Sequence, residues 1–299
     1  MSGLPKIGML YGGWNSEAEV SRASAHFCAT IARECGYDVI EIEFDRNLPI
    51  YLNENKIDIV FNALHGRVGE DGSVQGLLNI LNIPFTHSGV TASALAMDKY
   101  LSCKLFESAN IHTPPKILLN EGEYVTPSDY SGPYVIKPKN DGSSVGVEII
   151  LDGRLCARKM WSLDTELIGE HYISGRELTV SVLNGKALCV TEIIANADFY
   201  NYKAKYEIGG SKHILPANIP EKCALKAKLW AEKAFNLIGC RGVARADFRW
   251  DEDKDKLYLL ELNTQPGMTQ TSLVPEQVSF CNLSMHHLIT LLIEAAQCD

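Results

Sequence analysis

The chain has 299 residues, of which 46% are hydrophobic and 22% charged, and a formal charge of -9. That length supports a substantial core in more than one domain, and the composition is that of an ordinary soluble protein. The acidic balance argues against non-specific nucleic-acid binding, which needs a basic surface, so any phosphate would be held at a local site. No apolar run approaches bilayer-spanning length, so no membrane association is expected, and "MSGLPKIGMLYGG" lacks the sustained apolar stretch of a signal peptide. Nine cysteines without a C-x-x-C pair point to reduced, mostly buried thiols rather than a zinc site or disulfide framework, and so to the cytoplasm.

In chain order, "KIGMLY" reads as a short apolar strand and "EVSRASAHFCATIARECG" as an amphipathic helix ended by Gly36. "NSEAEVS" fits a capping box, with Ser16 as N-cap and Glu19 three residues on. Glu17 then falls in the first turn, where the helix dipole favours a carboxylate. "YDVIEIEF" alternates with period two, "IDIVFNALHG" is a buried strand and "SVQGLLNILN" a helix. This β-α-β-α order over residues 1–90 predicts a parallel sheet with helices packed on it.

Residues 91–173 form a shorter mixed segment, helical through "TASALAMDKYLSCKLFESA" and strand-like at "PYVIKP" and "VGVEII". From 174 to 299, "RELTVSVL", "ALCVTEII", "GVARADFRW" and "KLYLLELN" read as an antiparallel sheet. A helix among them carries Ala227, Ala231, Ala234, Phe235 and Ile238 on one stripe. "DEDKDK" is a solvated hairpin tip, and a last helix, "MHHLITLLIEAA", is capped by Ser284. The fold class is therefore α/β (α+β) in three segments.

"KPKNDGSSVGVEII" satisfies G-x-S-x-G through Gly142, Ser144 and Gly146, the pattern of a nucleophile elbow. An elbow needs a strand before the serine and a helix after it, whereas "VEII" is strand-like. Two strands around a Gly-Ser tip make a hairpin whose backbone N–H groups and hydroxyls can lie against phosphate, with Lys137 adding charge. A mobile surface turn remains the bland alternative, and a serine hydrolase using Ser144 the remote one.

"GVARADFRW" and "KLYLLELNTQPG" flank a tip centred near Lys254. Pairing about that centre sets Asp247 opposite Glu261 and Arg245 opposite Asn263, so that all four project from one face. Two carboxylates and an amide oxygen are hard ligands suited to Mg²⁺ holding phosphates. The competing reading is a salt-bridge patch, disfavoured because the surrounding sequence is that of a buried sheet.

Seven stretches occur in one order: "ALHGRVGEDGSVQG", "SGVTASALAMDK", "VIKPKNDGSSVGV", "ISGRELTV", "YNYKAKY", "GVARADF" and "LELNTQPGMTQTSLVPE". With "YGGWNSEAEVS" they make nearly the whole chain resemble the D-alanine–D-alanine ligases of the ATP-grasp superfamily. The resemblance implies an ATP-grasp fold with an N-terminal pre-ATP-grasp domain (1–90), a small central domain (91–173) and a C-terminal antiparallel-sheet domain (174–299). It implies ATP-dependent joining of two D-alanine molecules through an acyl phosphate, for peptidoglycan precursor synthesis, with two Mg²⁺ or Mn²⁺ ions and a homodimeric assembly.

Residue by residue, the resemblance sets Lys99 and Lys137 at the ATP phosphates, and Ser143 and Ser144 in the loop covering them. Glu170, His171 and Ile173 match the strand meeting adenine, Glu177 the ribose contact, and Asp247, Glu261 and Asn263 the metal ligands, Asn263 also lying at the nucleotide. Arg245 would stabilise the transferring phosphoryl group. Glu17 would meet the first D-alanine's ammonium, linked to Ser143 and Tyr206, with His65 and Glu70 nearby. Gly267 belongs to the substrate site, and Ser272 would meet the second D-alanine's carboxylate. Tyr200, Lys205 and Tyr206 fall in a polar loop with the length of a lid, from which Lys205 would reach ATP. Without the resemblance, His65 reads equally well as a satisfied buried histidine and Ser272 as a helix cap. Ala18 and Gln265 depart from the family pattern without removing a catalytic group. A different ATP-grasp carboxylate–amine ligase is the alternative; it would share the loop and metal set but not Glu17, Ser143 and Tyr206.

Overall fold

The N-terminal parallel sheet follows from its sequence pattern. The structure, a computed structural model, describes residues 3–119, 124–125, 132–143, 145–152, 156–157, 161–162, 164–195 and 210–299. β1 (Lys6–Gly12) lies between β2 (Asp38–Phe44) and β3 (Ile59–Asn62), parallel to both. Its Ile7, Met9 and Leu10 are buried, because a central parallel strand is covered on both faces and reads as a near-continuous apolar run. α1 (Ala18–Glu34) covers the sheet with Ser21, Ala25, Cys28, Ala29 and Ala32 turned inward at helical spacing. α2 (Leu48–Glu54), led by a proline, and α3 (Ser73–Ile80) follow; α2 is too short for its periodicity to register in the sequence.

The capping box expected at Ser16 does not form. Glu17 occupies the N-cap position of α1 and its side chain makes no capping hydrogen bond; its carboxylate meets Ser143, far along the chain. The helical stretch after residue 90 divides into α4 (Val90–Met97) and α5 (Lys99–Ser108). The break is at Asp98, whose extended backbone ends α4 and whose carboxylate accepts hydrogen bonds from Tyr100 N and Leu101 N to start α5.

The central sheet is antiparallel, in the order β4 (Lys116–Leu118), β9 (Leu167–His171), β6 (Tyr134–Pro138), β7 (Glu148–Ile150); β5 (Tyr124–Val125) and β8 (Cys156–Ala157) pair separately. β6 and β7 are the two arms of the Gly-Ser hairpin, with Ile136 opposite Glu148, so a strand follows the loop and the elbow geometry is absent. The C-terminal sheet is antiparallel in the order β12 (Ser211–Ile214), β11 (Lys186–Ala195), β10 (Arg176–Leu183), β13 (Val243–Asp251), β14 (Lys256–Asn263). α6 (Glu221–Ile238) packs on it through the expected stripe together with Cys223 and Trp230.

Two shared cores hold these layers at fixed separations. Ala92, Ala96, Cys103 and Phe106 of α4 and α5 join the core of α6 and the C-terminal sheet. Val274 and Val278 of α7 (Leu273–Phe280), with Leu288, Ile289 and Leu292 of α8 (Met285–Glu294), join α1 and β1. Ser284 caps α8 as its sequence indicates, accepting from His287 N at 3.0 Å. The central sheet has only a small core of its own, including Tyr134, Ile136 and Trp161.

The β13–β14 hairpin confirms the expected pairs and corrects the reason for them. Asp247 lies opposite Glu261 and Arg245 opposite Asn263, but at the tip Asp251 faces Lys256 and Phe248 faces Leu259, a register centred between residues 253 and 254. A bulge at Leu260 adds one residue to β14 and moves the register by one. Without it, Asp247 would face Leu260 and Glu261 would point to the opposite side of the sheet. The burial of β14 records the phase break: Leu257, Leu259 and Leu262 are buried, while Leu260 and Glu261 are both half-buried.

Candidate active site

A cleft runs between the central and C-terminal sheets and opens onto the N-terminal segment. One end is lined by Lys137, Glu170, His171, Ile173, Glu177, Asp247 and Leu260, the other by Glu17, His65, Glu70, Arg245, Asn263, Gly267 and Ser272. Lys99, Gly142, Ser143 and Glu261 border both. Every site residue expected from sequence within the described residues is therefore brought to one cleft. Ser144, Tyr200, Lys205 and Tyr206, with the rest of "YNYKAKY", lie outside the described residues.

At the carboxylate centre, Arg245 grips Asp247 with two parallel hydrogen bonds, Nε to Oδ1 at 2.9 Å and Nη2 to Oδ2 at 2.7 Å. Thr179, opposite Asp247 on β10, donates to Oδ1 at 2.7 Å. A fork of this kind fixes a carboxylate more firmly than a point charge could. Lys99 stands at the start of α5 with Nζ 3.7 Å from Glu261 Oε2, and it also donates to the Asp141 carbonyl at the base of the loop. Asn263 Oδ1 accepts from Gln265 N at 2.8 Å, which holds the amide in place. The donors are all oxygen, two carboxylates facing each other and one amide, and this set fits a hard divalent cation. No group of three or more His, Cys, Asp or Glu side chains forms a metal cluster among the described residues. Phosphate oxygens would have to complete the coordination.

At the other end the Gly-Ser loop meets the N-terminal segment. Ser143, in a left-handed backbone conformation at φ 51°, donates its hydroxyl hydrogen to Glu17 Oε1. Gly146 carries the loop past Trp161, whose indole Nε1 donates to the Gly146 carbonyl at 2.8 Å; a Cβ there would lie 3.0 Å from that nitrogen. Asn15 positions the Glu17 backbone, accepting from Glu17 N at 2.9 Å while donating to the His65 carbonyl at 2.8 Å. His65 is buried, with Nδ1 3.0 Å from the Gln265 carbonyl and 3.5 Å from Glu70 Oε1, and Nε2 3.3 Å from Ser24 Oγ. Burial works against charge on His65, but Glu70, Glu17 and the Gln265 carbonyl outweigh it, and its pKa is raised. His65 is thus a buried, fully partnered histidine that also lines the cleft. Ser272 begins α7 without capping it. Its Oγ turns to Thr269, accepting from Thr269 N at 3.0 Å and lying 2.7 Å from Thr269 Oγ1, on the wall of the cleft.

Several site features had no place in the sequence reading. Lys116 is one: a lone lysine in the apolar run "PPKILL", it lies 3.2 Å from Glu170 Oε2. Leu260 is another, exposed to the cleft by the bulge. Gln265, noted only as a departure, ties the site together. Its amide donates to the Asn62 carbonyl at 2.5 Å and lies 3.2 Å from His87 Nδ1, and its Oε1 accepts from Asn62 at 3.2 Å.

His87, beneath this network, makes stability depend on acid. Burial, helped by the neighbouring His65, lowers its pKa from 6.5 to about 3. A depressed histidine contributes stability that is present above pH 6.5 and is lost as pH falls through 3, at about 1.4 kcal/mol per unit, or roughly 5 kcal/mol in all. His65 acts with the opposite sign, its contribution fading as pH rises. The unfolding midpoint in urea should therefore decline less steeply from pH 6.5 to 3 in His87→Asn, a residue that accepts the φ of 67° found there. Parallel acid limbs in the two proteins would remove His87 as the cause.

Two antiparallel sheets closing on a cleft of lysines and paired carboxylates define an ATP-grasp protein. The model described as "D-ala D-ala ligase C-terminus" matches residues 106–294, and that described as "D-ala D-ala ligase N-terminus" matches residues 50–88. The chain belongs to the D-alanine–D-alanine ligase family. It is 45% identical over 299 residues to the D-alanine–D-alanine ligase of Ruegeria sp. (strain TM1040), covering 99% of this chain and 97% of the relative. It is 46% identical over 308 residues to that of Parvibaculum lavamentivorans, covering 100% of both. The crystal structure of D-alanine–D-alanine ligase from Bacillus anthracis complexed with ATP superposes with a TM-score of 0.82 at 28% identity, covering 97% of each chain.

Proposed function

We propose that this protein joins two D-alanine molecules into D-alanyl-D-alanine with conversion of ATP to ADP and phosphate, the dipeptide serving peptidoglycan precursor synthesis. The observation that carries this reading is the contact between Ser143 and Glu17. It links the loop of the phosphate end directly to an amino-acid end, within one cleft. An ATP-grasp ligase for other substrates would have no need of this link.

In this reading a free carboxylate, too poor an electrophile for an amine, takes the γ-phosphate of ATP to become an acyl phosphate. The second D-alanine's amine then displaces phosphate. Glu17 receives the first ammonium, with His65 and Glu70 behind it, and Ser143 holds Glu17 in place. Gly267 leaves room for the second substrate beside Ser272, which meets its carboxylate. Arg245, between the two ends, stabilises charge on the transferring group, a role worth most in a preorganised, water-poor site. Lys99 and Lys137 bind phosphates; His171, Ile173 and Glu177 line the nucleoside end, Glu177 lying 3.6 Å from Arg249 Nη1. Asp247, Glu261 and Asn263 would hold two Mg²⁺ or Mn²⁺ ions. Bound there, the cations supply charge neutralisation across the phosphates. The roles of Ser144, Tyr200, Lys205 and Tyr206 rest on the family resemblance alone, as do a homodimer, a cytoplasmic setting and the division at residues 90 and 173. Among the described residues no helix is long and apolar enough to cross a membrane.

The test is phosphate release from ATP with D-alanine, L-alanine or neither, with and without Mg²⁺. Release should require both D-alanine and the cation. Equal release with L-alanine, or with no amino acid, would overturn the assignment.

A further inference from the structure

The floor of the nucleotide end contains a charge cluster whose net sign one residue decides. Glu170 on β9 stands between two lysines on the flanking strands. Lys137 Nζ on β6 lies 2.6 Å from Oε1, and Lys116 Nζ on β4 lies 3.2 Å from Oε2. The register explains the grouping. Lys116 is directly opposite Glu170 on one side, Val135 is opposite it on the other, and Lys137 is two residues from Val135. All three side chains therefore leave the same face of the sheet. Glu170 and Lys137 line the cleft, while Lys116 sits behind them with its side chain wholly buried, donating also to Cys103 Sγ of α5 at 2.7 Å.

Burial favours neutral forms, yet neighbouring charges keep Lys116 and Glu170 ionised. Burial works against charge on Lys116, but Glu170 and Cys103 outweigh it and its pKa is raised; burial also opposes charge on Glu170, but the two lysines hold its pKa below the usual carboxylate value. A Lys137–Glu170 pair alone would be neutral, and a neutral buried pair offers phosphate little attraction. With Lys116 present the cluster carries one net positive charge, and Glu170 can lean on Lys116 while Lys137 turns to an incoming anion.

We propose that Lys116 is a positioning residue for the nucleotide: by neutralising Glu170 from behind, it frees the charge of Lys137 for the ATP phosphates. This rests on the ligase reading of the cleft, but its test does not. Loss of Lys116 weakens ATP binding and leaves D-alanine untouched, because Lys116 reaches neither the reacting atoms nor the amino-acid end. The fold survives the loss, since Glu170 keeps Lys137 as a partner.

Calorimetric titration of the full-length protein with ATP and Mg²⁺, without amino acid, measures the effect independently of turnover. Lys116→Met should raise the Kd for ATP at least tenfold. Lys116→Arg, which keeps the charge, should stay within threefold of the parent, while Lys116→Gln, which keeps a polar partner for Glu170 but not the charge, should weaken binding as Lys116→Met does. In steady state Lys116→Met should raise the KM for ATP while kcat and the KM for D-alanine change less than twofold, a split that general loosening of the fold would not produce. An ATP Kd in Lys116→Met within twofold of the parent overturns the proposal. So does a Lys116→Gln variant that binds ATP as tightly as the parent. Should Lys116→Met fail to fold, Lys116→Gln, whose amide keeps a polar partner for Glu170, decides alone by the same twofold limit. If the parent binds ATP but releases no phosphate with D-alanine, the ligase reading fails while this comparison stands.

Discussion

Asp247→Asn should lower kcat by about a thousandfold, a loss typical of removing a preorganised electrostatic partner from a phosphoryl-transfer site. Two effects combine. The variant loses one anionic oxygen from the set facing Glu261, which weakens its hold on a divalent cation. It also breaks the fork from Arg245, whose Nε and Nη2 now lie 2.9 and 2.7 Å from the two carboxylate oxygens. The freed guanidinium would no longer be aimed at the transferring group. Raising Mg²⁺ should recover only part of the rate, because cation occupancy can be restored by mass action and the orientation of Arg245 cannot. Thr179 still has an oxygen to donate to, and β13 keeps its ladder, so the thermal midpoint should change little. A variant that retains a tenth of the parent rate would show that Asp247 is not part of the metal and phosphate machinery.

Gly66→Ala should raise the KM for D-alanine at least tenfold while the Kd for ATP stays within twofold of the parent. Gly66 sits at φ 68°, where an L-residue costs roughly 1–2 kcal/mol. The larger effect is steric: a Cβ there would overlap Glu17 Oε2 and lie 2.8 Å from Asn15 Nδ2. Both groups are on the short path that fixes Glu17. Asn15 holds the Glu17 backbone and the His65 carbonyl, and Ser143 holds the carboxylate. Pushing Glu17 aside would leave the first substrate's ammonium without its counter-charge. The nucleotide end, with Lys137, Glu170 and Glu177, lies beyond the reach of a single methyl group. Equal losses of ATP and D-alanine affinity would mean that the substitution acts through folding rather than through Glu17.

Much of the architecture follows from one-dimensional patterns. The central apolar strand β1, the inward stripe of α6 and the alternation in β10 and β13 show which faces are covered, because side chains repeat every 2 residues in a strand and every 3.6 in a helix. Family motifs place Glu17, Lys99, Arg245, Asp247, Glu261 and Ser272 in one active-site context, and those described in the structure do line one cleft. Short elements escape this reading. α2, β4 and α7 are too brief to establish a period, and Asp98 divides a helical stretch by a capping geometry that helix propensity does not express.

Other features depend on partners distant in the chain. The sequence offers Ser16 as a local cap, whereas Glu17 occupies the N-cap position and its carboxylate is bound by Ser143, 126 residues away. The charge on Lys137 cannot be judged from its motif, since Glu170 and Lys116 arrive from two other strands. Glu261 faces Asp247 because a single bulge at Leu260 shifts the hairpin by one residue. Local sequence determines periodicity and chemical type, whereas register, burial and net charge of a cluster are properties of neighbours that only the folded chain assembles.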